Sequence, residues 1–204
     1  MTLFEDDADY KAFESIIRET LETRPMRVCA YCLMPNHWHM VLWPEKDGQL
    51  ATFMQRLTIT HAARWQRSRD CVGSGHVYQG RFKSFPIEDD EHFYNVARYV
   101  ERNPLKAGLC DKPDAWRWSS LWLSEHGDDS EKRLLSAWPI PRPHRWREHV
   151  EQSLTEAEEE AIGRSLTRGT PLGGPEWAQE IAEKLGLAST LRAKGRPKRF
   201  QEGR

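Results

Sequence analysis

The sequence lacks the features of a membrane protein or of a protein from an oxidising compartment. No apolar run approaches the length of a membrane span, and residues 1–9 are acidic, unlike a signal peptide. Four cysteines do not make a disulfide framework in a reducing compartment, so we expect buried structural thiols at Cys29 and Cys32. These absences predict a cytoplasmic protein with no membrane partner.

The chain also carries little net charge, −1 over 204 residues, but its charges are clustered. Residues 151–160 contain five glutamates and no base, whereas residues 192–199 contain five bases and no acid. Because the bases are clustered, the near-neutral total does not exclude a nucleic-acid partner. The length is sufficient for one domain with a hydrophobic core plus an appendage.

Hydrophobic periodicity predicts an α+β fold for the first half of the chain. The predicted order is helix (8–23), strand (27–33), strand (37–43), helix (50–69), strand (76–87) and a third helix that starts at Asp89 and Asp90. This order matches a ferredoxin-like split βαβ unit whose first strand is missing, with an antiparallel sheet and helices on one face of it.

The second half is predicted to contain a small helical region. We expect residues 116–120 to pack across the domain edge and the proline-rich segment 138–146 to form an extended linker. A capping box at Thr155 opens a helix to about Arg168, and Pro175 opens another. Such a helical pair suits DNA binding and structural packing equally. We divide the chain into a first domain (1–125), a proline-rich linker (126–150) and a helical C-terminal region with a basic tail (151–204).

Two histidines open the second strand. His37 and His39 share one face of the strand, whereas Trp38 takes the other, because successive side chains alternate. Two adjacent imidazoles on a rigid strand can hold one divalent metal. The alternative is a pair of ordinary histidines at a half-exposed strand start.

A tyrosine and an asparagine lie on one face of the predicted third helix. Tyr99 and Asn103 are four residues apart, and Pro104 disfavours helical geometry at Asn103, so we expect the helix to end there. Tyrosine is a poor general base at neutral pH, but it is a competent nucleophile toward a phosphodiester beside a metal and basic groups. The Asn103 amide oxygen can complete a metal site with the two histidines. The alternative is a packed tyrosine and a helix-capping asparagine.

The sequence resembles the HUH single-tyrosine transposases, and more narrowly the REP-associated tyrosine transposases of bacteria, in three segments: MPNHWHMVLWP, GHVYQGRFKSF and RYVERNPLKAGL. The resemblance runs through most of residues 1–123 and returns near residues 185–198. It implies a metal-dependent endonuclease acting on single-stranded DNA near palindromic hairpins, with Mg²⁺ or Mn²⁺ as cofactor. It places the metal-binding pair on His37 and His39, the nucleophile on Tyr99 and the third, amide ligand on Asn103.

The sequence departs from this family at its first element. Family members usually begin with a strand that lies in the sheet beside the histidine-bearing strand, whereas this sequence starts at the helix. We therefore expect a misplaced start, a truncated gene or another segment in the gap. An unpaired central edge would loosen the metal site.

Two sets of basic residues are predicted to follow a DNA backbone: Arg81 and Lys83 on a strand, and Arg98, Arg102 and Lys106 on a helix flank. Solvated surface charge is the alternative. The tail resembles an AT-hook core, in which Gly-Arg-Pro lays arginine into a narrow minor groove; a disordered basic tail is its alternative. Its predicted contacts are Arg196, Lys198 and Arg199.

These observations predict a transposase-like endonuclease that cleaves and rejoins single-stranded hairpin DNA through Tyr99. We expect a monomer or homodimer in the cytoplasm, associated with the nucleoid. The alternatives are a catalytically inactive DNA-binding relative and a metal-dependent phosphoesterase that uses water.

Overall fold

The computed structural model describes residues 1–192, which form an α+β fold around a two-stranded antiparallel sheet. The strands are β1 (Arg27–Met34) and β2 (His37–Trp43). The helices within the described residues are α1 (Asp7–Thr23), α2 (Gln49–Ser68), α3 (Glu91–Lys106), α4 (Ser120–His126), α5 (Asp129–Lys132), α6 (Trp146–Glu151), α7 (Glu156–Arg168), α8 (Pro175–Lys184) and α9 (Ala188–Leu191). The predicted fold class and its helical C-terminal region are confirmed.

The β1–β2 hairpin sets the position of the two histidines. Its two-residue turn, Pro35-Asn36, places Met34 opposite His37 and Cys32 opposite His39. Because side chains alternate along a strand, both histidines lie on the same face of the sheet, as predicted.

Helices cover both faces of the sheet, rather than the single face that the sequence predicts. On one face, Tyr31 and Leu33 of β1 pack with apolar residues of α1 and α2. On the other face, Cys32 and Met34 pack with residues of α3, α6 and α7. β1 is therefore buried along nearly its whole length, and α3 lies against the face that carries the histidines.

A buried polar network fixes α3 against β1. Glu101 is 1% exposed, and its carboxyl oxygens accept hydrogen bonds from the Ser120 hydroxyl and from Trp146 Nε1. Ser120 Oγ in turn accepts a hydrogen bond from the Tyr31 amide (2.9 Å). Burial raises the pKa of Glu101. Since Glu101 is two residues from Tyr99, the network also holds the turn of α3 that carries Tyr99.

The outer edge of β1, the one that does not pair with β2, is covered by residues that follow α3. The Leu33 amide donates to the Trp118 carbonyl (2.9 Å), and the Ser136 amide donates to the Val28 carbonyl (2.8 Å). The prediction that residues 116–120 pack across the domain edge is confirmed.

The strand predicted over residues 76–87 is wrong. Within residues 1–192, Ile87 forms one isolated bridge with Leu172, and the rest of this segment pairs with no strand. Tyr78 and Phe82 still pack against the core, whereas Gly80 is exposed. The alternating sequence pattern arises because alternate side chains of this segment pack against the core. A β-strand also needs a neighbouring strand whose backbone lies within hydrogen-bonding distance.

The predicted end of the third helix at Asn103 is also wrong, because α3 continues through Pro104 to Lys106. Pro104 is buried in the last turn, where the Ala107 amide still donates to the Asn103 carbonyl (2.9 Å). A proline this close to a helix end removes one hydrogen bond and leaves the turn intact.

The proline-rich segment 138–146 lies against the core instead of spanning a gap. It contains no helix or strand before Trp146, but Trp138 Nε1 donates to the Cys29 carbonyl (2.7 Å) and Trp146 is buried. The segment has no helix or strand up to Trp146, in keeping with the predicted extended form, but it also contacts the core; the division of the chain near residues 125 and 150 stays a prediction.

The helices of the C-terminal region begin where the sequence predicts. Thr155 and Glu158 form a capping box at the start of α7, and Pro175 is the first residue of α8. Within residues 1–192, no helix combines the length and the hydrophobicity needed to cross a membrane.

Candidate functional site

The two histidines of β2 lie side by side on the face that α3 covers. Their ring centroids are 4.9 Å apart, and the rings are nearly perpendicular. His37, next to the turn, is exposed, whereas Nε2 of His39 is buried and has no hydrogen-bond partner in the described part of the chain. A buried polar atom without a partner is costly unless a ligand satisfies it.

Both imidazoles favour the neutral form, which is the form that binds a metal. Burial lowers the pKa of His39 to about 4, with a further contribution from His37. The His37 side chain is exposed overall, but partial loss of solvent around its imidazole also lowers its pKa. Asn36 Oδ1 lies 2.6 Å from His37 Nδ1. Because an amide oxygen can only accept, Nδ1 carries the proton and Nε2 keeps a lone pair for a ligand. Nε2 of His37 and Nε2 of His39 are therefore suited to bind a divalent cation.

Tyr99 projects from α3 onto His39. The centroids of the two rings are 5.7 Å apart and the rings meet at 75°. Burial raises the pKa of the Tyr99 phenol, and Lys106 and Asn103 lower it by less. The phenol is therefore protonated at neutral pH.

Asn103 contacts Tyr99 rather than the histidines. Its Nδ2 donates to the Tyr99 carbonyl (2.7 Å), as expected for positions four apart on one helix face. Among the described residues it forms no hydrogen bond with either imidazole. The structure thus brings His37, His39 and Tyr99 together and places Asn103 one turn further along α3.

The two predicted DNA-binding sets differ in their surroundings. Arg98 pairs with Glu158 (2.9 Å) and Lys106 with Glu159 (2.7 Å), both on α7, while Arg102 Nε donates to the Gln152 carbonyl (3.1 Å). Arg81 and Lys83 are exposed and form no ion pair within residues 1–192. Arg196, Lys198 and Arg199 lie outside the described residues.

The sequence analysis missed two residues that orient β2. One is Asn36, for which the only signal was its position directly before His37. The other is Tyr78, whose hydroxyl accepts a hydrogen bond from Trp38 Nε1 (3.4 Å) and lies 2.6 Å from His61 Nδ1. Trp38 lies between the two histidines on the opposite face, so this network ties β2 to α2.

A second group of potential ligands lies at the start of α3. The ligand atoms of Glu88, Asp90 and His92 are within 4.8 Å of one another. Asp90 accepts a hydrogen bond from the His92 amide (2.8 Å), and Glu88 accepts one from the Gly174 amide (2.7 Å). These bonds give the group a role in capping α3 and holding the loop before α8.

Comparison with known proteins identifies the family. The family model described as "Transposase IS200 like" matches residues 1–103, which include the hairpin, both histidines, Tyr99 and Asn103. The chain belongs to the IS200-like transposase family. The resemblance seen in the sequence motifs is thereby confirmed.

A curated protein that is similar to this chain is the "Putative REP-associated tyrosine transposase" of Haemophilus influenzae. It is 28% identical over 117 residues, which cover 53% of this chain and 66% of the relative. The chain thus spans slightly less than two thirds of that relative's length. No solved structure matches the chain significantly.

Proposed function

We propose that this protein is a metal-assisted endonuclease and strand transferase of the transposase type, which cleaves and rejoins single-stranded DNA through Tyr99. The observation that carries the proposal is the contact between the Tyr99 and His39 rings, 5.7 Å between centroids, beside a second imidazole. The proposed nucleophile and the rings of the two proposed metal ligands therefore lie next to one another. Membership of a transposase family supports DNA as the substrate.

The chain offers three candidate ligands for a cation: Nε2 of His37, Nε2 of His39 and Oδ1 of Asn103. A bound Mg²⁺ or Mn²⁺ supplies positive charge that stabilises the phosphate oxygens during attack, and imidazole ligands suit Mn²⁺ better. Asn103 would need to turn toward the histidines, since its amide now bonds the Tyr99 carbonyl.

The reaction of Tyr99 exchanges one ester bond for another. Its Oη forms a bond to phosphorus while the bond from phosphorus to one bridging oxygen of the DNA breaks. The phenol loses its proton and the departing oxygen gains one, which gives a phosphotyrosine-linked DNA end and a free hydroxyl. Attack of a DNA hydroxyl on the phosphotyrosine ester rejoins the strand and restores Tyr99.

The surroundings of Tyr99 favour the protonated phenol, so the proposed attack has to start from that form. Burial raises its pKa, so the phenolate forms only when nearby groups stabilise the negative charge. Lys106 and Asn103 lower the pKa of Tyr99, whereas Glu159, the ion-pair partner of Lys106, raises it.

The proposed substrate is single-stranded DNA next to a palindromic hairpin, on the strength of the resemblance and of the relative's name. Exposed Arg81 and Lys83 supply contacts for its phosphates. The proposal also includes DNA contacts from the tail residues Arg196, Lys198 and Arg199. It further includes a monomeric or homodimeric protein that is located at the cytoplasmic nucleoid.

The test is covalent trapping of the protein on labelled hairpin DNA with Mg²⁺ or Mn²⁺. We expect the unmodified protein to form an adduct, Tyr99→Phe to abolish the adduct without loss of DNA binding, and Tyr94→Phe to retain it. Tyr94 is a matched control on the same helix, because its hydroxyl donates to the Pro141 carbonyl (2.6 Å) and not toward the histidines. An adduct that persists in Tyr99→Phe contradicts the assignment.

The second candidate is a DNA-binding relative that does not cleave. It is favoured by the raised pKa of Tyr99, because the neutral phenol is a weaker nucleophile than the phenolate. DNA binding without metal-dependent cleavage under any of the trapping conditions would support it. Cleavage that survives Tyr99→Phe would instead support a phosphoesterase that uses water.

A further inference from the structure

A second cavity lies between β1, α3, the start of α4 and residues 135–142. Its volume is about 500 Å³, which falls within the range of small-molecule sites, roughly 300–1,000 Å³. Within residues 1–192, its lining includes none of the residues of the candidate site, namely His37, His39, Tyr99 and Asn103. The function proposed above therefore leaves this cavity without a role.

A buried carboxyl group forms the inner end of the cavity. Glu101 is 1% exposed, and its two oxygens accept one hydrogen bond each, from the Ser120 hydroxyl and from Trp146 Nε1. An ionised carboxylate has about four acceptor positions, so roughly half of them are unused. A buried charge with too few hydrogen bonds is costly. A ligand with two parallel donors would supply one further hydrogen bond to each oxygen.

A guanidinium group without an acidic partner lies at the mouth of the cavity. The exposed Arg142 side chain lies over the Trp138 ring, 5.0 Å from its centroid, and donates to the Ser124 hydroxyl (3.1 Å). In the described part of the chain Arg142 forms no ion pair, and it and Glu101 are the only charged residues among those that line the cavity. A guanidinium in such a position is suited to bind a phosphate or a carboxylate.

The walls between these two charged groups are mainly apolar. They include Leu135, Trp138 and Ile140, which are partly buried against the core. The cavity thus offers acceptors at its inner end, apolar walls and a cation at its mouth. A complementary ligand has two donors at one end, a flat ring in the middle and an anion at the other end.

We propose that this cavity binds a guanine nucleotide, with the base toward Glu101 and the phosphate at Arg142. The N1–H and 2-amino groups of guanine are parallel donors that match a carboxylate, and the other three DNA bases lack this pair. A ligand guanidinium also has two parallel donors, but Arg142 would repel its charge and would remain without an anion. Charge complementarity therefore favours the nucleotide.

Two sources present this chemistry, a free nucleotide and a guanine base in single-stranded DNA. In the second case the inference rests on the function proposed above, because the strand has to be the substrate. Glu101 and Tyr99 are two residues apart on α3, which separates their directions by about 200° around the helix axis. A guanine bound at Glu101 would therefore select the sequence of the strand without taking part in the attack by Tyr99.

The first arm of the test titrates the full-length protein with free nucleotides in EDTA, so that metal-dependent cleavage cannot occur. NMR follows the indole N–H of Trp146, which donates to Glu101. We expect dGMP to shift this resonance with a Kd below about 1 mM. We expect dIMP, which lacks only the 2-amino group, to bind at least about tenfold more weakly, because one charge-assisted hydrogen bond is lost.

Two variants assign the two ends of the ligand. Arg142→Ala should weaken dGMP binding roughly fivefold and leave binding of deoxyguanosine, which has no phosphate, unchanged. Arg133→Ala is the matched control, because it removes an exposed cation that does not line the cavity. Glu101→Gln should remove the preference for dGMP over dIMP. If Glu101→Gln fails to fold, the comparison of Arg142→Ala with Arg133→Ala still decides.

The second arm compares a single-stranded oligonucleotide that contains one guanine with the same oligonucleotide containing hypoxanthine instead. A tenfold loss of affinity that Arg142→Ala reduces would identify the base in DNA as the ligand. No loss, together with selective binding of dGMP, would identify the free nucleotide.

The proposal is overturned if neither dGMP nor the guanine oligonucleotide shifts the Trp146 resonance. It is also overturned if hypoxanthine binds as well as guanine in both arms, or if Arg142→Ala has no larger effect than Arg133→Ala. None of these outcomes depends on cleavage of DNA, so a failure here is distinguishable from a failure of the assignment of Tyr99.

Discussion

The two sets of basic residues near the candidate site are equally visible in the sequence, but the fold treats them differently. The exposed basic segment, Arg81 and Lys83, faces solvent, whereas the α3 stripe, Arg98, Arg102 and Lys106, is held by α7 and the loop before it. The partners of the stripe lie 50 to 60 residues further along the chain. A basic residue is therefore more available to DNA where the folded chain gives it neither an ion pair nor a hydrogen bond.

The largest expected effect comes from removing the exposed basic segment. Arg81→Ala with Lys83→Ala should weaken binding of single-stranded DNA roughly tenfold at low salt and flatten the slope of log K against log[salt] by about 1.4. Both side chains are exposed, so stability should not change. Fluorescence anisotropy over a salt series measures both quantities.

The matched control for this variant is Arg102→Ala with Lys106→Ala, which removes the same charge from the α3 stripe. A loss of affinity as large as that of the first double variant would remove the distinction between the two regions. A smaller loss, with a smaller change of slope, is what their different surroundings predict.

The next effect concerns stability rather than binding. The Arg98 and Glu158 side chains are 14% and 27% exposed, and Arg98 also donates to Asn95. Arg98→Ala leaves Glu158 half-buried without its partner, so we expect a loss of about 1 kcal/mol in the free energy of unfolding, roughly fivefold in the unfolding constant. Urea denaturation measures it. An unchanged midpoint would mean that α7 is held by its apolar contacts alone.

A smaller effect tests whether α7 competes with DNA for the stripe. Glu159→Gln removes the partner of Lys106, and the pair is 52% and 37% exposed. We expect DNA affinity to rise about threefold or less, since surface pairs are weak. Glu160→Gln is the control, because it changes the same charge on the same helix but has no ion pair within residues 1–192. Equal gains in both variants would show a general charge effect.

The sequence predicted the parts of the fold that depend on local signals. The periodic apolar residues of α1, the acidic start of α3 and the shared face of His37 and His39 follow from the spacing of neighbouring residues. The contact of Tyr99 with His39 followed from the resemblance together with the helix position.

The parts that were missed depend on partners far apart in the chain. Residues 76–87 alternate like a strand, but whether a strand forms is decided by an adjacent edge. Proline content indicated that residues 138–146 are extended, but not that Trp138 bonds Cys29, 109 residues away. For the same reason, the charges of the α3 stripe were visible while their pairing with α7 was not.

The smallest expected effect is a pH dependence at the Arg98–Glu158 pair. Burial alone would raise the pKa of Glu158, but hydrogen bonds from Thr155 and the charge of Arg98 outweigh it, so the pKa is lowered. The folded state therefore prefers the ionised form of Glu158. The contribution of this carboxylate to the free energy of unfolding is complete above the ordinary pKa of glutamate and is lost as pH falls through the lowered pKa. We expect the unfolding free energy of the unmodified protein to exceed that of Glu158→Gln by about 0.5 kcal/mol at pH 7, and this difference to shrink as pH falls below the ordinary pKa of glutamate. Because the glutamine keeps the shape of the side chain, a difference that stays constant between these pH values would show that packing, and not charge, joins α7 to the α3 stripe.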